Sequence, residues 1–376
     1  MYQLRHYLDM MTDEHRMAPH DAAIRSAVRP GDVVLDLGAG AGAFTFIALD
    51  AGAAHVYAIE HSPAIELAQK VARANGLADR VTFIQADART IVPPRQVDGL
   101  ISDLRGATPL LGDSIDLFEI VRDRWLKPDG YTIPLADDIH VAPVASPEAH
   151  QIVEGWRHLG RAAQYDVASE HAANRLFSAY LNRDDVIAPS QVLGTIRYDG
   201  TPPRKFTLRS SFVAAGAAAM TGLGLWFTAR LTPDIVFDTS PHSPSTVYAQ
   251  GFLPLSHLRP VAAGETLDVT VAVHRTLPES IWSWTVASRT GAWTETHSTF
   301  KGALLGLGGT DLLGDARRPS LSDEGQMARE VLDAMDGNKN ARELAAGLMT
   351  AFPGRFASLD EALPAVAKVL GRYGGP

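Results

Sequence analysis

The stretch VLDLGAGAGAF, residues 34–44, combines an apolar run with three glycines at alternate positions. The run Val33–Leu37 predicts a buried strand that carries one acid, Asp36. Gly38, Gly40 and Gly42 can adopt the positive φ angles of a tight turn, and without a Cβ they let a ligand approach the backbone. The apolar residues that follow predict a helix over 43–51. We therefore expect a strand, a ligand-binding turn and a helix.

The same alternation of strand and helix continues to about residue 135. Further strands are predicted at 56–60, 81–85 and 99–103, and helices at 63–75 and 114–126. The last helix is expected to end because Pro128 and Gly130 follow it. Strands that alternate with helices indicate a parallel sheet covered on both faces, so residues 1–135 are expected to form an α/β domain.

The pattern changes after Pro134. One helix at 151–160 precedes β-rich runs, which predict strands at 195–198, 224–231, 266–273 and 281–288. Short strands separated by Pro and Gly are typical of a β-barrel or sandwich, so residues 136–305 are expected to form a β-rich domain. Residues 306–322, rich in Gly, Asp and Arg, are expected to be a linker. Apolar spacing then predicts a small helical domain at 323–376.

The composition argues against several classes of function. The chain of 376 residues has a net charge of −9, without the basic excess of nucleic-acid-binding proteins, so no nucleic-acid partner is expected. It contains no cysteine, which excludes thiol nucleophiles and cysteine metal sites and suits a cytoplasmic location. No signal peptide or run of 18 apolar residues is found, so no membrane association is expected. Histidines and carboxylates show no metal-ligand spacing, so no metal is expected.

Acidic residues lie in or follow successive strands of the predicted sheet. Asp36 is in the first strand, Glu60 closes the second, and Asp87 follows the third. The carboxyl ends of parallel strands meet at one edge, where Glu60 could bind the two hydroxyls of a ribose. A dinucleotide is one candidate ligand, but its G-x-G-x-x-G fingerprint is not met, and Asp36 would repel a pyrophosphate. S-adenosylmethionine, a cation without phosphates, fits better, with Asp36 near its ammonium and Asp87 near its adenine.

Four further segments carry motifs of one family. Residues 13–16 read DEHR, similar to a D-E-x-R helix motif, and residues 101–103 read ISD in place of I-S-E. Residues 124–130, RWLKPDG, are similar to K-W-L-x-P-x-G, and residues 237–246, FDTSPHSPST, are similar to F-x-T-S-P-x-S-P-x-T. Over residues 1–304 the chain thus resembles the protein arginine methyltransferases.

The resemblance implies a fold, a cofactor and a set of site residues. The fold is a seven-stranded, Rossmann-like class I methyltransferase domain followed by a β-barrel, with a helical dimerisation arm at about 150–180 that makes a homodimer. The enzyme would methylate a peptide or protein and convert S-adenosylmethionine to S-adenosylhomocysteine. The implied cofactor-binding residues are Met10, Arg16, Asp36, Gly38, Gly40, Gly42, Glu60, His61, Asp87, Ala88 and Asp103, with Arg16 on the cofactor carboxylate. The implied catalytic residues are Asp103 and Asp113, and the implied substrate contacts are His15, Arg105, His242 and Tyr248.

The acceptor region departs from the family pattern. In the family, two glutamates hold the substrate guanidinium. In this chain the first is replaced by Asp103, and the second best matches Asp113, with one more residue between the two than in the family. Each aspartate is shorter by about 1.5 Å. The family's T-H-W becomes residues 246–248, TVY, without the histidine. This altered clamp could serve arginine or an imidazole, which is neutral near pH 7. Asp113 could also be a helix N-cap.

The C-terminal helical segment resembles part of the small modules that capture precursor peptides of ribosomally made natural products; a stabilising tail is the alternative. Three functional hypotheses follow. The first is N-methylation of a peptide or protein side chain, most simply arginine. The second changes the acceptor to histidine or another side chain of a precursor peptide. The third is a non-catalytic, cofactor-binding scaffold that presents a peptide.

Overall fold

A computed structural model describes residues 4–160, 163–276, 279–303, 318 and 320–374. The chain divides into two compact units, Met1–Ala303 and Leu304–Pro376. Most of the segment expected to be a linker, 306–322, lies outside the described residues.

A parallel sheet forms the first part of the larger unit. Its strands are β1 (Val33–Leu37), β2 (His55–Glu60), β3 (Val81–Gln85), β4 (Val97–Ser102) and β5 (Leu126–Ile133), in the order β3-β2-β1-β4-β5. Within the described part of the chain this sheet has five strands, fewer than the seven expected, because the next strand pairs with antiparallel strands of the barrel half. The alternation seen in the sequence is thus confirmed, and β1 and β3 have the predicted bounds.

The helices of this half are α1 (Leu4–Thr12), α2 (Glu14–Ala27), α3 (Ala43–Asp50), α4 (Ile65–Ala74) and α5 (Ser114–Trp125). Short 3-10 helices lie at Ala78–Arg80 and Ala88–Thr90. Helix α5 ends one residue earlier than expected and leads directly into β5, which itself contains Pro128 and Gly130. A proline is tolerated there because β5 is an edge strand.

The second half of the larger unit is antiparallel, as its β-rich sequence indicated. Its strands are β6 (Ala136–Val144), β7 (Phe177–Ala179), β8 (Gln191–Arg197), β9 (Lys205–Val213), β10 (Ala218–Arg230), β11 (Val236–Asp238), β12 (Gln250–Val261), β13 (Thr266–His274), β14 (Ile281–Ser288) and β15 (Thr294–Ser298). One sheet has the order β7-β12-β10-β6-β8 with β11 paired to β10, and the other has the order β15-β14-β13-β9. Alternate residues of β13 and β14, including Trp282 and Trp284, are buried between the sheets.

Two helices of the expected arm follow β6. They are α6 (Pro147–Arg157), capped by the Ser146 hydroxyl, and α7 (Asp166–Ala172). An apolar core runs without interruption from the parallel sheet into the barrel half. The smaller unit contains α8 (Asp323–Ala334), α9 (Ala341–Ala351) and α10 (Leu359–Tyr373), which bury Val331, Leu344, Leu348 and Val366 in a core of their own. No helix among the described residues is long and apolar enough to cross a membrane.

Candidate active site

The glycine turn lies at the carboxyl end of β1. Gly38, Gly40 and Gly42 have φ angles of +80°, +53° and +91°, in the left-handed region that favours glycine. A Cβ on Gly38 would come within 2.4 Å of Leu104 Cδ2, so a side chain there would also disturb the loop after β4. The turn therefore needs glycine, as the sequence predicts.

Glu60 ends β2 beside this turn and is buried. Its Oε2 accepts a hydrogen bond from the Gly40 amide at 3.2 Å, and its Oε1 accepts one from the Ser62 amide at 2.8 Å. His61 is exposed, with Nδ1 3.2 Å from Oε1. Because each carboxylate oxygen has two lone pairs, Glu60 can also accept hydrogen bonds from a ligand diol.

The other two predicted acids differ in exposure. Asp36 is buried and accepts a hydrogen bond from the Thr45 hydroxyl at 2.6 Å, and burial raises the pKa of its carboxyl to about 6. Asp87 is half-exposed and caps the short helix at Ala88–Thr90 through the Arg89 amide. Ala88 is buried beside it.

Arg16 is buried on α2 and contacts residues from both halves of the larger unit. Its Nη1 donates to the Met10 carbonyl at 2.9 Å, and its guanidinium lies 5.1 Å from the centre of the Phe44 ring. Its Nε and Nη2 lie 2.8 and 2.7 Å from Asp103 Oδ2. Nε also lies 2.8 Å from the Tyr248 hydroxyl.

Asp103 follows β4, and its side chain is only 3% exposed. Its Oδ2 accepts from Arg16 and from the Tyr248 hydroxyl, and its Oδ1 accepts from Arg105 Nε at 2.9 Å. Burial alone would raise the pKa of this carboxyl, but Arg105 and Arg16 hold it well below its usual range. Asp103 is therefore a fully ionised carboxylate with partners on both oxygens.

Arg105 lies deep behind Asp103, with a side chain 4% exposed. Besides Asp103, its Nη1 donates to Asp137 Oδ1 at 3.0 Å and its Nη2 to His20 Nε2 at 2.9 Å. Asp137 also accepts from the Tyr198 hydroxyl at 2.6 Å. Burial alone would lower the pKa of Arg105, but Asp103 and Asp137 raise it above its ordinary value.

His20 is a neutral member of this cluster. Burial lowers its pKa to about 4. Because a guanidinium only donates, His20 Nε2 must accept from Arg105, and Nδ1 carries the proton toward the Arg16 carbonyl 2.6 Å away. Both ring nitrogens are thus engaged.

Asp113 is not brought into the Asp103 cluster. It occupies the N-cap position of α5 without a side-chain capping bond, is 41% exposed, and forms an ion pair with Arg89. The two predicted catalytic carboxylates therefore have different environments: Asp103 lies among buried cations, and Asp113 lies at the surface. A catalytic role for Asp113 stays a prediction.

The remaining predicted substrate residues lie where α2 meets the barrel half. His15 Nε2 is 3.0 Å from the Asp238 carbonyl of β11, and Asp13 accepts from the Val247 amide at 2.8 Å. His242 is exposed, and its carbonyl accepts from Arg183. The sequence-based analysis missed His20, Asp137 and Tyr198, since no motif or spacing relates these residues to Asp103.

Comparisons with known proteins agree with this geometry. Residues 29–134 match a family model described as a methyltransferase domain. The chain is 27% identical over 263 residues to protein arginine N-methyltransferase 6 of Xenopus laevis, covering 66% of this chain and 77% of that protein. It is 40% identical over 153 residues to protein arginine N-methyltransferase PRMT10 of Oryza sativa, covering 40% of each.

Solved structures share the fold. The PRMT1 enzyme–prozyme heterotetrameric complex of Trypanosoma brucei, with AdoHcy, aligns with a TM-score of 0.70 at 20% identity and covers 78% of this chain and 97% of that chain. Protein arginine methyltransferase 10 of Arabidopsis thaliana aligns with a TM-score of 0.66 at 20% identity, and the alignment covers 79% of this chain and 98% of that chain.

The domain match and the glycine turn beside buried acids define the class as the S-adenosylmethionine-dependent methyltransferases. The added barrel half and the similarity to relatives along both halves narrow this class, and the chain is similar to the protein arginine methyltransferases.

Proposed function

We propose that this enzyme transfers the methyl group of S-adenosylmethionine to a side-chain nitrogen of a peptide or protein. The observation that carries the proposal is the position of Asp103. This ionised carboxylate lies at the sheet edge that also holds Glu60 and the glycine turn, and its Oδ2 accepts hydrogen bonds from Arg16 of α2 and from Tyr248 of the barrel half. Asp103 therefore links the cofactor region to the region where a substrate would bind.

The residues present fit the cofactor. Glu60 keeps a free lone pair on each oxygen for the ribose hydroxyls, and the Gly38–Gly42 turn carries no Cβ at three of its positions. Arg16 uses Nη1 for the Met10 carbonyl and the Met17 sulfur and places one N–H of Nη2 on Asp103, so Nη2 retains an N–H for a carboxylate. Asp36 and Asp87 would face the ammonium and adenine ends.

The chemistry requires orientation more than acid–base power. Bound S-adenosylmethionine supplies an electrophilic methyl group on a positively charged sulfur. The acceptor lone pair must lie in line with the sulfur–carbon bond at near-attack distance. Asp103 would orient the acceptor N–H and stabilise positive charge on the acceptor nitrogen during transfer. Tyr248, whose pKa is raised by burial and by Asp103, would remain a neutral donor that fixes this carboxylate.

The acceptor has two candidates. The names of the relatives indicate arginine as the acceptor. A histidine, or another side chain of a precursor peptide, is favoured by one observation: both oxygens of Asp103 already have guanidinium partners within the chain.

We also propose that the protein is a cytoplasmic homodimer. Trp156, Leu159 and Tyr165 are each about two-fifths exposed around the α6–α7 arm, which is an unusual amount of clustered apolar surface for a monomer. A second copy covering the arm would bury these side chains. Light scattering at micromolar concentration should give twice the monomer mass, and a monomer would contradict this part of the proposal.

The reaction is tested by mass spectrometry. Purified enzyme, S-adenosylmethionine and peptides encoded near its gene should yield 14-dalton increments, and fragmentation should place the methyl group on a side-chain nitrogen. Calorimetry with S-adenosylhomocysteine is the control that the cofactor site is intact. A protein that binds this product but methylates only a non-peptide small molecule would overturn the proposal.

A further inference from the structure

Resting on the proposed function, we infer that Arg105 determines the acceptor: it permanently occupies one oxygen of Asp103. The site then takes a neutral amine or imidazole, which can donate one N–H to the other oxygen, and rejects a guanidinium. The argument rests on the partners of Arg105, the charge around Asp103, and the space behind it.

Arg105 is built into the protein and is not a loose side chain resting on an empty site. Three of its nitrogens donate to three different acceptors, Asp103, Asp137 and His20, at 2.9–3.0 Å, and its guanidinium lies 5.3 Å from the centre of the Phe227 ring. Moving it would leave Asp137 and His20 buried without their partner, and stranding a buried charge typically costs several kcal/mol. An incoming guanidinium therefore cannot displace Arg105 without a large penalty.

Both oxygens of Asp103 are engaged within the chain: Oδ2 accepts from Arg16 and from the Tyr248 hydroxyl, and Oδ1 accepts from Arg105. Asp103 and Asp137 face two cations, Arg16 and Arg105. If Nη2 of Arg16 turned to a cofactor carboxylate, Oδ2 of Asp103 would lose one donor, while Oδ1 would stay with Arg105. A guanidinium is best held by two parallel hydrogen bonds to a carboxylate, which needs both oxygens. One carboxylate oxygen is enough to accept the hydrogen bond from one N–H group.

The second carboxylate and the space needed for a guanidinium clamp are also missing from the described part of this site. Asp113 pairs with Arg89 at the surface instead of approaching Asp103. The cavity lined by Ser102, Leu104, Arg105 and Tyr198 measures about 10 Å³, which is room for about one water molecule. Arg105 lines this cavity, which is too small to hold a guanidinium.

An amine or imidazole acceptor gives a balanced reaction at this site. The neutral nitrogen donates its lone pair to the methyl carbon, the carbon–sulfur bond breaks with its electron pair going to sulfur, and the positive charge passes to the acceptor nitrogen. Asp103 Oδ2 holds an N–H of the acceptor and stabilises that charge. The extra proton is then lost to solvent, from the methylated nitrogen of an amine or from the other ring nitrogen of an imidazole, and no other reactant is needed.

The test uses the full chain and peptides from its gene neighbourhood, each synthesised with arginine, lysine or histidine at one position and with a free or acetylated N-terminus. We expect methyl groups on an amine or an imidazole. The lysine and free-terminus peptides test the amine, and the histidine peptide tests the imidazole. The rate should rise with pH through the acceptor pKa, near 6.5 for imidazole or 10.4 for lysine. Methylation of the arginine guanidinium would overturn this inference and leave the proposed function standing; no methylation of any peptide by an enzyme that binds S-adenosylhomocysteine would overturn both.

Substitution of Arg105 tests its role directly. Arg105→Ala should raise the preference for arginine over the amine or imidazole peptide, measured as a ratio of kcat/KM, by about tenfold or more, because Oδ1 becomes free. Arg105→Lys keeps a cation on Oδ1 and should keep the original preference, so it gives a result even if the alanine variant does not fold. Arg197→Ala, which removes an exposed pair with Asp199, is the matched control. An unchanged preference in a folded Arg105→Ala protein would contradict the assignment.

Discussion

Glu60 and Asp103 are buried carboxylates at the same edge of one sheet, but their partners differ. Glu60 accepts hydrogen bonds from the Gly40 and Ser62 amides and keeps lone pairs free. Asp103 is surrounded by Arg16, Arg105 and a tyrosine hydroxyl. Backbone amides hold a carboxylate in place without neutralising it, so Glu60 remains ready for ligand hydroxyls. Guanidinium groups both hold a carboxylate in place and neutralise its charge. The charge that Asp103 can offer a ligand therefore depends on which cation leaves when ligands bind.

The largest effect is expected on the cofactor side. Glu60→Ala removes two charge-assisted hydrogen bonds to the ribose, each typically worth about 1.5–3 kcal/mol. Affinity for S-adenosylhomocysteine should therefore fall about 10²–10⁴-fold in calorimetry. Glu66→Ala, an exposed change on α4, is the control and should bind normally. Retained affinity in Glu60→Ala would remove Glu60 from the cofactor site, and NAD binding without product binding would contradict the cofactor assignment.

On the acceptor side, Asp103→Asn removes the charge that orients and stabilises the acceptor. Turnover should fall by about 10²–10³-fold. Affinity for S-adenosylhomocysteine should change only a few-fold, because Glu60 and the glycine turn are untouched. Arg16 and Arg105 lose their common anion, so the folded state should also lose several kcal/mol, visible as a lower Tm. Full activity of Asp103→Asn would show that Asp103 only stabilises the fold.

The stability contributions of Asp36 and His20 should also change with pH in opposite directions. The pKa of Asp36 is raised by burial from 3.8 to about 6, so its contribution to stability is present below pH 3.8 and is lost as pH rises through 6. The pKa of His20 is lowered by burial from 6.5 to about 4, so its contribution is present above pH 6.5 and is lost as pH falls through 4. In the wild-type chain the Asp36 and His20 contributions to stability oppose each other between about pH 4 and pH 6.5.

Asp36→Asn should expose the His20 effect alone. Between pH 6.5 and pH 4 its free energy of unfolding should fall by about 2 kcal/mol more than that of the wild type, because only the wild type gains the Asp36 contribution and each pKa unit corresponds to about 1.4 kcal/mol. Denaturant titrations at a series of pH values measure this difference. Parallel wild-type and variant curves would show that Asp36 does not titrate in this range.

The smallest effect is expected for Asp113→Asn. Exposed ion pairs contribute about 0–1 kcal/mol, so breaking the pair with Arg89 should change turnover less than tenfold and leave Tm nearly unchanged. The assay is the same peptide methylation used for Asp103→Asn. A loss as large as that of Asp103→Asn would bring Asp113 into the acceptor site and restore a two-carboxylate clamp.

Local patterns in the sequence predicted the parallel sheet, because apolar runs, helix periodicity and glycine spacing act over a few residues. The elements around residues 33–37, 81–85 and 281–288 agree with their predicted bounds for this reason. The transition at Leu126 was wrong in detail: Pro128 and Gly130 were interpreted as a helix stop, yet they lie in an edge strand where a missing amide donor costs little. The five-stranded sheet also differs from the seven strands that the resemblance implied.

The sequence by itself determined the glycine turn and the position of Glu60 beside it. Gly38, Gly40 and Glu60 belong to consecutive strand–turn units, and the contacts of Glu60 span only 20 and 2 positions in the chain. Tertiary structure alone decided the acceptor half. Asp103 meets Arg16 across 87 positions and Tyr248 across 145, and Arg105 meets His20 across 85 and Asp137 across 32. Charge in a buried cluster depends on how all of its members are paired, and that pairing exists only once α2, β4, β6 and the barrel half have packed together.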